Sequence, residues 1–134
     1  MTKFLTVEQV IEIHDAFLED HGGLPGIRDK GLLISAVDMP RTTMFGEYLH
    51  KTIYEQAAAY LFHIVQNHPF NDGNKRTGAL TAILFLELNN VAIIFTDQNY
   101  EEFVIKVAQG KKNKEEIAYF LKHGVAINLL LAKI

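Results

Sequence analysis

Between about Asn74 and Asn89 the chain carries Ala79, Leu80, Ile83, Leu84, Phe85 and Leu88, apolar residues spread around almost the whole circumference of a helix. A helix that is hydrophobic all round is expected inside a protein, with other helices covering it. This segment therefore commits the rest of the chain to supplying helices. Its first turn has a different character. It begins Asn74-Lys75-Arg76-Thr77-Gly78 and is preceded by the loop His68-Pro69-Phe70-Asn71-Asp72-Gly73. From His68 to Arg76 there stand a base, an acid suited to a metal, a glycine turn and two cations. They lie at a helix N-terminus, where backbone N–H groups are unpaired and point outward. Such a grouping suits phosphate-transfer chemistry.

The flanking segments supply the other helices. Thr6 and Gln9 form a capping box ahead of a stripe of Val10, Ile13, His14, Phe17 and Leu18, which Gly22-Gly23 stops. The turn-forming stretch Gly22-Gly23-Leu24-Pro25-Gly26-Ile27 follows. Asp29 caps a second helix through about Val37. Pro40 argues against its continuation, so Asp38 to His50 reads as a loop or flap. Within it, Thr42 to Phe45 before Gly46 is suited to a strand or short hairpin. Lys51 to Asn67 is a helix, its period set by Ile53, Ala57, Tyr60, Leu61, Ile64 and Val65, with three successive alanines favouring close helix contact. Asn89-Asn90 ends the apolar helix, and Val91 to Phe95 is a β-prone run. Tyr100 to Gln109 is helical and closed by Gly110. Asn113 with Glu116 caps a last helix through Leu129 and Leu131, with Gly124 expected to kink or divide it.

The 134 residues form a single domain, 1–134, with enough chain to bury a core. Hydrophobic residues at 49% and charged residues at 22% are ordinary for a soluble globular protein, and no apolar run reaches the length of a membrane span. The start, Met1-Thr2-Lys3-Phe4-Leu5, lacks a signal-peptide pattern. With no cysteine, disulfides and thiolate metal sites are excluded, in keeping with a cytoplasmic location. A net charge of −3 opposes broad affinity for nucleic acid.

The stretch from His68 to Arg76 resembles the Fic-domain signature, His-x-Phe-x-Asp/Glu-Gly-Asn-Gly-Arg-x-x-Arg. It departs at Lys75, where most members have glycine, and at Ala79, where they have the second arginine. Both departures match the death-on-curing (Doc) branch, whose motif reads like His-x-Phe-x-Asp-x-Asn-Lys-Arg. His14-Asp15-Ala16, followed by Gly22-Gly23-Leu24-Pro25-Gly26 and Asp29, is similar to the N-terminal part of Doc proteins. The resemblance implies an all-α fold, a compact bundle of about six helices with a short flap or hairpin near the active site.

It also implies roles. His68 would be the base that deprotonates a target hydroxyl; outside the motif it would read as a helix-terminal histidine facing the C-terminal dipole. Asp72 would hold Mg²⁺, which usually takes one or two carboxylates and completes its shell with substrate oxygens and waters; in isolation it reads as a helix cap. Gly73, Asn74, Lys75 and Arg76 would bind the phosphates of ATP: Gly73 by letting the backbone approach, Asn74 by holding the loop or donating its amide, Lys75 as a point charge and Arg76 as a planar fork. Phe70 would anchor the loop in the core. Lysine in place of glycine at position 75 implies a reversed nucleotide, presenting the γ-phosphate, and hence phosphorylation rather than AMP transfer; Ala79 points the same way.

The expected protein is thus a Doc-type toxin that phosphorylates a Ser or Thr of a translation protein, elongation factor Tu being the first candidate. The rivals are an AMP-transferase of Fic type and a catalytically silent binding module. The nearest approach to a family inhibitory motif, Thr43 to Glu47 followed by Tyr48, ends wrongly, so a separate antitoxin is expected, laying an amphipathic segment in a groove. The flap is a candidate for docking a target segment by strand addition. Elsewhere, His14 reads as a packing or hydrogen-bonding residue. His63, five residues before His68, cannot form a zinc pair with it on one helix face. Lys111, Lys112 and Lys114 read as a solvated loop, and Tyr54, Tyr60 and Phe62 as core or groove residues.

Overall fold

The structure is a computed structural model describing the backbone of residues 1–91 and 97–132 and the side chains of 1–91 and 98–123. Six helices follow in order: α1 (Val7–His21), α2 (Lys30–Asp38), α3 (Ile53–Asn67), α4 (Asn74–Leu88), α5 (Asp97–Ala108) and α6 (Lys114–Ala132). A two-stranded hairpin, β1 (Thr43–Met44) and β2 (Glu47–Tyr48), stands between α2 and α3. Among the described residues this makes an all-α bundle with one small hairpin. None of these helices is long and apolar enough to cross a membrane.

Local chemistry explains the boundaries. The capping box at α1 forms as read: Thr6 accepts from the Gln9 N–H at 3.2 Å, and Gln9 accepts from the Thr6 N–H at 2.8 Å. Asp29 caps α2 by accepting from the Leu32 N–H. Pro40 does not end helical geometry outright. It sits at the start of a 3-10 turn, Met39–Arg41, where its fixed φ suits the turn. In the hairpin Thr43 pairs with Tyr48 and Met44 with Glu47, and the two turn residues, Phe45 and Gly46, both have positive φ (54° and 80°). That is the backbone of a type I′ turn, whose twist matches that of the strands it joins. Phe45 pays for it as a bulky residue in the left-handed region, and the residue is 97% exposed. The hairpin packs through Tyr48 on Phe4, ring centroids 5.5 Å apart.

The centre of the bundle is α3, not α4. Its residues Gln56 to Leu61, Ile64 and Val65 are all buried, and it packs on α2, α4, α5 and α6. The alanines at 57–59 let those neighbours approach closely. At Gly78, α4 crosses so near that a Cβ would lie 2.9 Å from Val65 Cγ2. Helix α4 is instead two-faced. Thr77, Thr81, Ala82 and Phe85 face the core, whereas Leu84 and Leu88 are exposed and line an apolar groove against Ile13 and Phe17 of α1. The all-round apolar pattern therefore reports a core face plus a groove face. Helix α6 is continuous past Gly124, so the expected division there does not occur. The β-prone run lies, beyond Val91, outside the described residues.

The lysine-rich segment also departs from expectation. Lys111 and Lys112 lie in the loop as expected, but Lys114 is partly buried. Its Nζ stands 3.1 Å from His50 Nε2 and 3.1 Å from His63 Nε2, joining the first turn of α6 to α3 and to the segment that follows the hairpin. Burial, and then the Lys114 charge, pull the His63 pKa down to about 4 and lower that of His50. Both rings are therefore neutral acceptors for one ammonium. No sequence spacing links positions 50, 63 and 114, so only packing could disclose the cluster.

Candidate active site

The loop from His68 to Gly73 joins α3 to α4. Its entry is set by His68, which ends α3 in the left-handed conformation (φ 50°, ψ 53°), its N–H still donating to the Ile64 carbonyl. Pro69 follows and pushes the residue before it away from the right-handed helical region toward extended backbone, whereas His68 takes the left-handed one. The His68 side chain is exposed, and among the described residues it makes no hydrogen bond. Arg28 holds the turn from below. Its Nε donates to the His68 carbonyl at 2.6 Å and its terminal nitrogen to the Asn67 carbonyl at 2.9 Å, satisfying carbonyls at the end of a helix.

The middle of the loop is tied to the glycine-proline segment by backbone bonds. Arg28 and Asp29 N–H groups donate to the Pro69 carbonyl, the Asn71 N–H donates to the Gly26 carbonyl, and Ile27 bridges Phe70. Asn71 Nδ2 adds a bond to the Pro25 carbonyl. Phe70 is wholly buried, as its anchoring role requires, and stacks on the ring of His14 with centroids 3.8 Å apart and planes 7° from parallel. His14 is a buried hydrogen-bonding residue, in line with the sequence reading.

Asn74 holds the loop rather than offering its side chain to a ligand. Its Oδ1 accepts from the Phe70 N–H at 2.8 Å and its Nδ2 donates to the Phe70 carbonyl at 2.9 Å, both buried. Of the two roles open to it, the structural one claims the amide. Its backbone N–H remains available. Gly73, at φ 80°, is the N-cap of α4 and makes no side-chain cap; the first intrahelical donor is the Thr77 N–H. Among the described residues the N–H groups of Asn74, Lys75 and Arg76 have no acceptor, so they form an open anion site.

Asp72 is exposed yet held. Oδ2 accepts from the Leu24 N–H at 3.1 Å and Oδ1 from the Gly73 N–H at 2.9 Å. These two backbone bonds hold its carboxyl below the usual carboxylate range, with smaller help from the His14 and Lys75 charges. Asp72 is therefore an ionised carboxylate at working pH, and Gly73, not Asp72, takes the cap position. Successive helical residues leave the axis about 100° apart, so Lys75 and Arg76 diverge. Lys75 contributes to the field at Asp72, while the Arg76 guanidinium lies 5.2 Å from the Phe17 ring centroid. Both are exposed, and among the described residues neither forms an ion pair.

The position that departs from the arginine-bearing signature is equally informative. Ala79 is buried on the core side of α4, and its carbonyl accepts from the Tyr100 hydroxyl at 2.7 Å. No cation reaches the loop from there.

Comparison with known proteins places this geometry. Residues 4–86 match the model of the Fic/DOC family. The chain belongs to the Fic/DOC family. Its relatives include the protein kinase doc of Escherichia phage P1, 30% identical over 120 residues that cover 90% of this chain and 94% of that protein. The toxin Doc of Mycolicibacterium smegmatis (strain ATCC 700084 / mc(2)155) is 33% identical over 120 residues, covering 88% of this chain and 90% of the relative. The Fic/DOC match spans both the motif loop and α1 with the glycine-proline turn, the two segments that the backbone bonds join.

Within this Fic/DOC loop the donor set fits a magnesium–nucleotide. Among the described residues no three histidines or acids converge as a closed metal cage. A single ionised carboxylate is compatible with Mg²⁺ that takes its other ligands from phosphate oxygens and waters. Arg28, His14 and Asn71 were not assigned to the site from sequence. Arg28 and Asn71 act through backbone carbonyls, which no spacing rule reveals. His14 could have been suspected from its place in the Doc-like N-terminal stretch.

Proposed function

We propose that this protein is a Doc-type toxin, a protein kinase that moves the γ-phosphate of ATP to a Ser or Thr hydroxyl of a translation protein, with elongation factor Tu the first candidate. The observation that carries this reading is the juxtaposition at the start of α4: the ionised Asp72 carboxylate, three unpaired amides and the Lys75 charge at one loop. The names of the two relatives, one a protein kinase and both Doc, support it. So does the absence of a cation at buried Ala79, since AMP transfer in the wider family is expected to use the second arginine.

In this reading the amides of Asn74, Lys75 and Arg76 and the Lys75 ammonium hold the phosphates and offset their charge, and the Arg76 guanidinium leaves the Phe17 ring to join them. Mg²⁺, held by Asp72 and phosphate oxygens, would neutralise charge on the leaving group. His68, exposed and without a hydrogen-bond partner among the described residues, takes the proton from the target hydroxyl as that oxygen bonds to the γ-phosphorus. The bond from the γ-phosphorus to its bridging oxygen breaks, and ADP leaves. Positioning and charge stabilisation carry most of such a transfer.

The toxin reading implies a separate antitoxin. The groove between α1 and α4, about 760 Å³ with an apolar floor of Ile13, Phe17, Leu84 and Leu88, suits the apolar face of an amphipathic segment. A cytoplasmic site of action follows from the target class.

The test is transfer from ATP labelled separately at the α- and γ-phosphates to purified elongation factor Tu. Only γ-label is expected on the target. α-Label arriving with adenosine attached would replace kinase activity with AMP transfer.

A further inference from the structure

The exposed Asp72 is an unusual acid because both of its carboxylate oxygens and its carbonyl are already held by hydrogen bonds. An aspartate on a surface loop ordinarily samples several rotamers. Here the Leu24 N–H fixes one carboxylate oxygen and the Gly73 N–H the other. Behind it, His14 Nε2 lies 2.8 Å from the Asp72 carbonyl oxygen. A carbonyl only accepts, so Nε2 carries the hydrogen. His14 is itself immobile: it is buried, its ring lies flat against Phe70, and Asp15 Oδ1 stands 3.1 Å from its other ring nitrogen.

The opposite side of the acid is shaped by a glycine. Gly23 has φ +127°, and a Cβ there would lie 2.9 Å from Asp72 Oδ2 and 2.8 Å from Leu18 Cδ2. Only a residue without a side chain lets the chain pass close enough for the Leu24 N–H to reach the carboxylate. Helix α1 and the turn after it, more than forty residues before the motif in the chain, thus set both the backbone and the carboxylate of the motif's one acid.

We propose that His14 and the Gly23-Leu24 turn are positioning elements for Asp72, holding its carboxylate in the one orientation in which its outward lone pairs meet a Mg²⁺ ion shared with nucleotide phosphates. This rests on the assignment of Asp72 to the metal in the proposed function. Groups that orient a metal-binding side chain from behind typically govern affinity by about ten- to a hundred-fold.

The experiment is calorimetric titration of the full-length protein with ATP, without target protein, over a series of Mg²⁺ concentrations and in EDTA. The proteins compared are the wild type, His14→Leu, Gly23→Ala and Asp72→Asn, with a melting temperature for each. His14→Leu and Gly23→Ala disturb Asp72 from opposite sides, so either one that folds carries the test. The expected result is a rise of about ten-fold or more in the Mg²⁺ needed for half-maximal ATP affinity, with binding in EDTA unchanged. Weakening that is equal with and without Mg²⁺, or an unaltered Mg²⁺ requirement while Asp72→Asn loses it, overturns the inference. An Asp72→Asn protein that keeps the wild-type Mg²⁺ requirement instead removes the metal assignment itself, and the inference with it.

Discussion

Two groups of histidines and cations sit at opposite extremes of the same physics. At the motif loop, His68, Asp72, Lys75 and Arg76 are exposed, and backbone amides hold the one carboxylate ionised. At the junction of α3 and α6, His50 and His63 share the partly buried Lys114 ammonium, and burial keeps both rings neutral. The residue types nearly coincide, but the roles do not. Exposure leaves His68 without a hydrogen-bond partner among the described residues and open to an approaching target. Enclosure turns His50 and His63 into fixed acceptors that tie three segments together. Solvent access and backbone partners, more than residue identity, separate a reactive cluster from a structural one.

Substitution at each cluster should break or sharpen that contrast. The largest effect is expected from His68→Ala. Loss of a positioned general base should lower phosphoryl transfer by about 10²- to 10⁴-fold and abolish growth arrest, with no change in melting temperature because the side chain is exposed. Equal toxicity from the variant and the wild type would turn His68 into a spectator. Next comes Asn74→Ala, which leaves the buried N–H and carbonyl of Phe70 unpaired. Urea titration should register a loss of about 1–3 kcal/mol, and transfer should fall with it as the loop loosens. A fully stable, inactive Asn74→Ala protein would instead assign the amide a direct part in binding.

The structural cluster should be visible in the pH dependence of stability. Unfolded, His63 takes up its proton near 6.5; folded, only near 4. Between those values the unfolded chain binds more protons, so stability falls as pH drops from about 7 toward 4. His63→Gln keeps an acceptor for Lys114 and removes the titration. Its melting temperature should decline less steeply across that window than the wild type's, and parallel curves would show that His63 is not held neutral. The smallest effect is a shift without unfolding. Lys114→Met removes the charge that helps depress both rings, so NMR titration should find the His63 pKa above the wild-type value, though still depressed by burial.

Much of this was legible in the chain. The capping residues Thr6 and Asp29 and the helix read as Lys51 to Asn67, observed from Ile53, follow local rules of turn chemistry and helical period, while Phe70 anchors the loop in the core as the motif implies. Two of the misreadings have one cause. Helix α4 was expected at the centre because its apolar residues encircle it, and Lys114 was expected in solvent because lysine clusters usually are. In both cases the deciding quantity is which neighbour stands opposite: α1 leaves a groove beside Leu84 and Leu88, while two histidines distant in sequence enclose Lys114. Asn74 shows the same limit within the motif, since its pattern position permits a ligand contact and the Phe70 backbone takes both amide groups.

The sequence by itself determined the helices, their caps, the family and the inventory of reactive groups, because these depend on near neighbours along the chain or on an ordered motif. Only the tertiary structure decided which groups stay free and which are tied down. His14, Leu24 and Arg28 reach the loop across 58, 48 and 40 positions of chain, respectively. Contacts at that separation depend on how the helices pack, and a linear pattern carries no record of them.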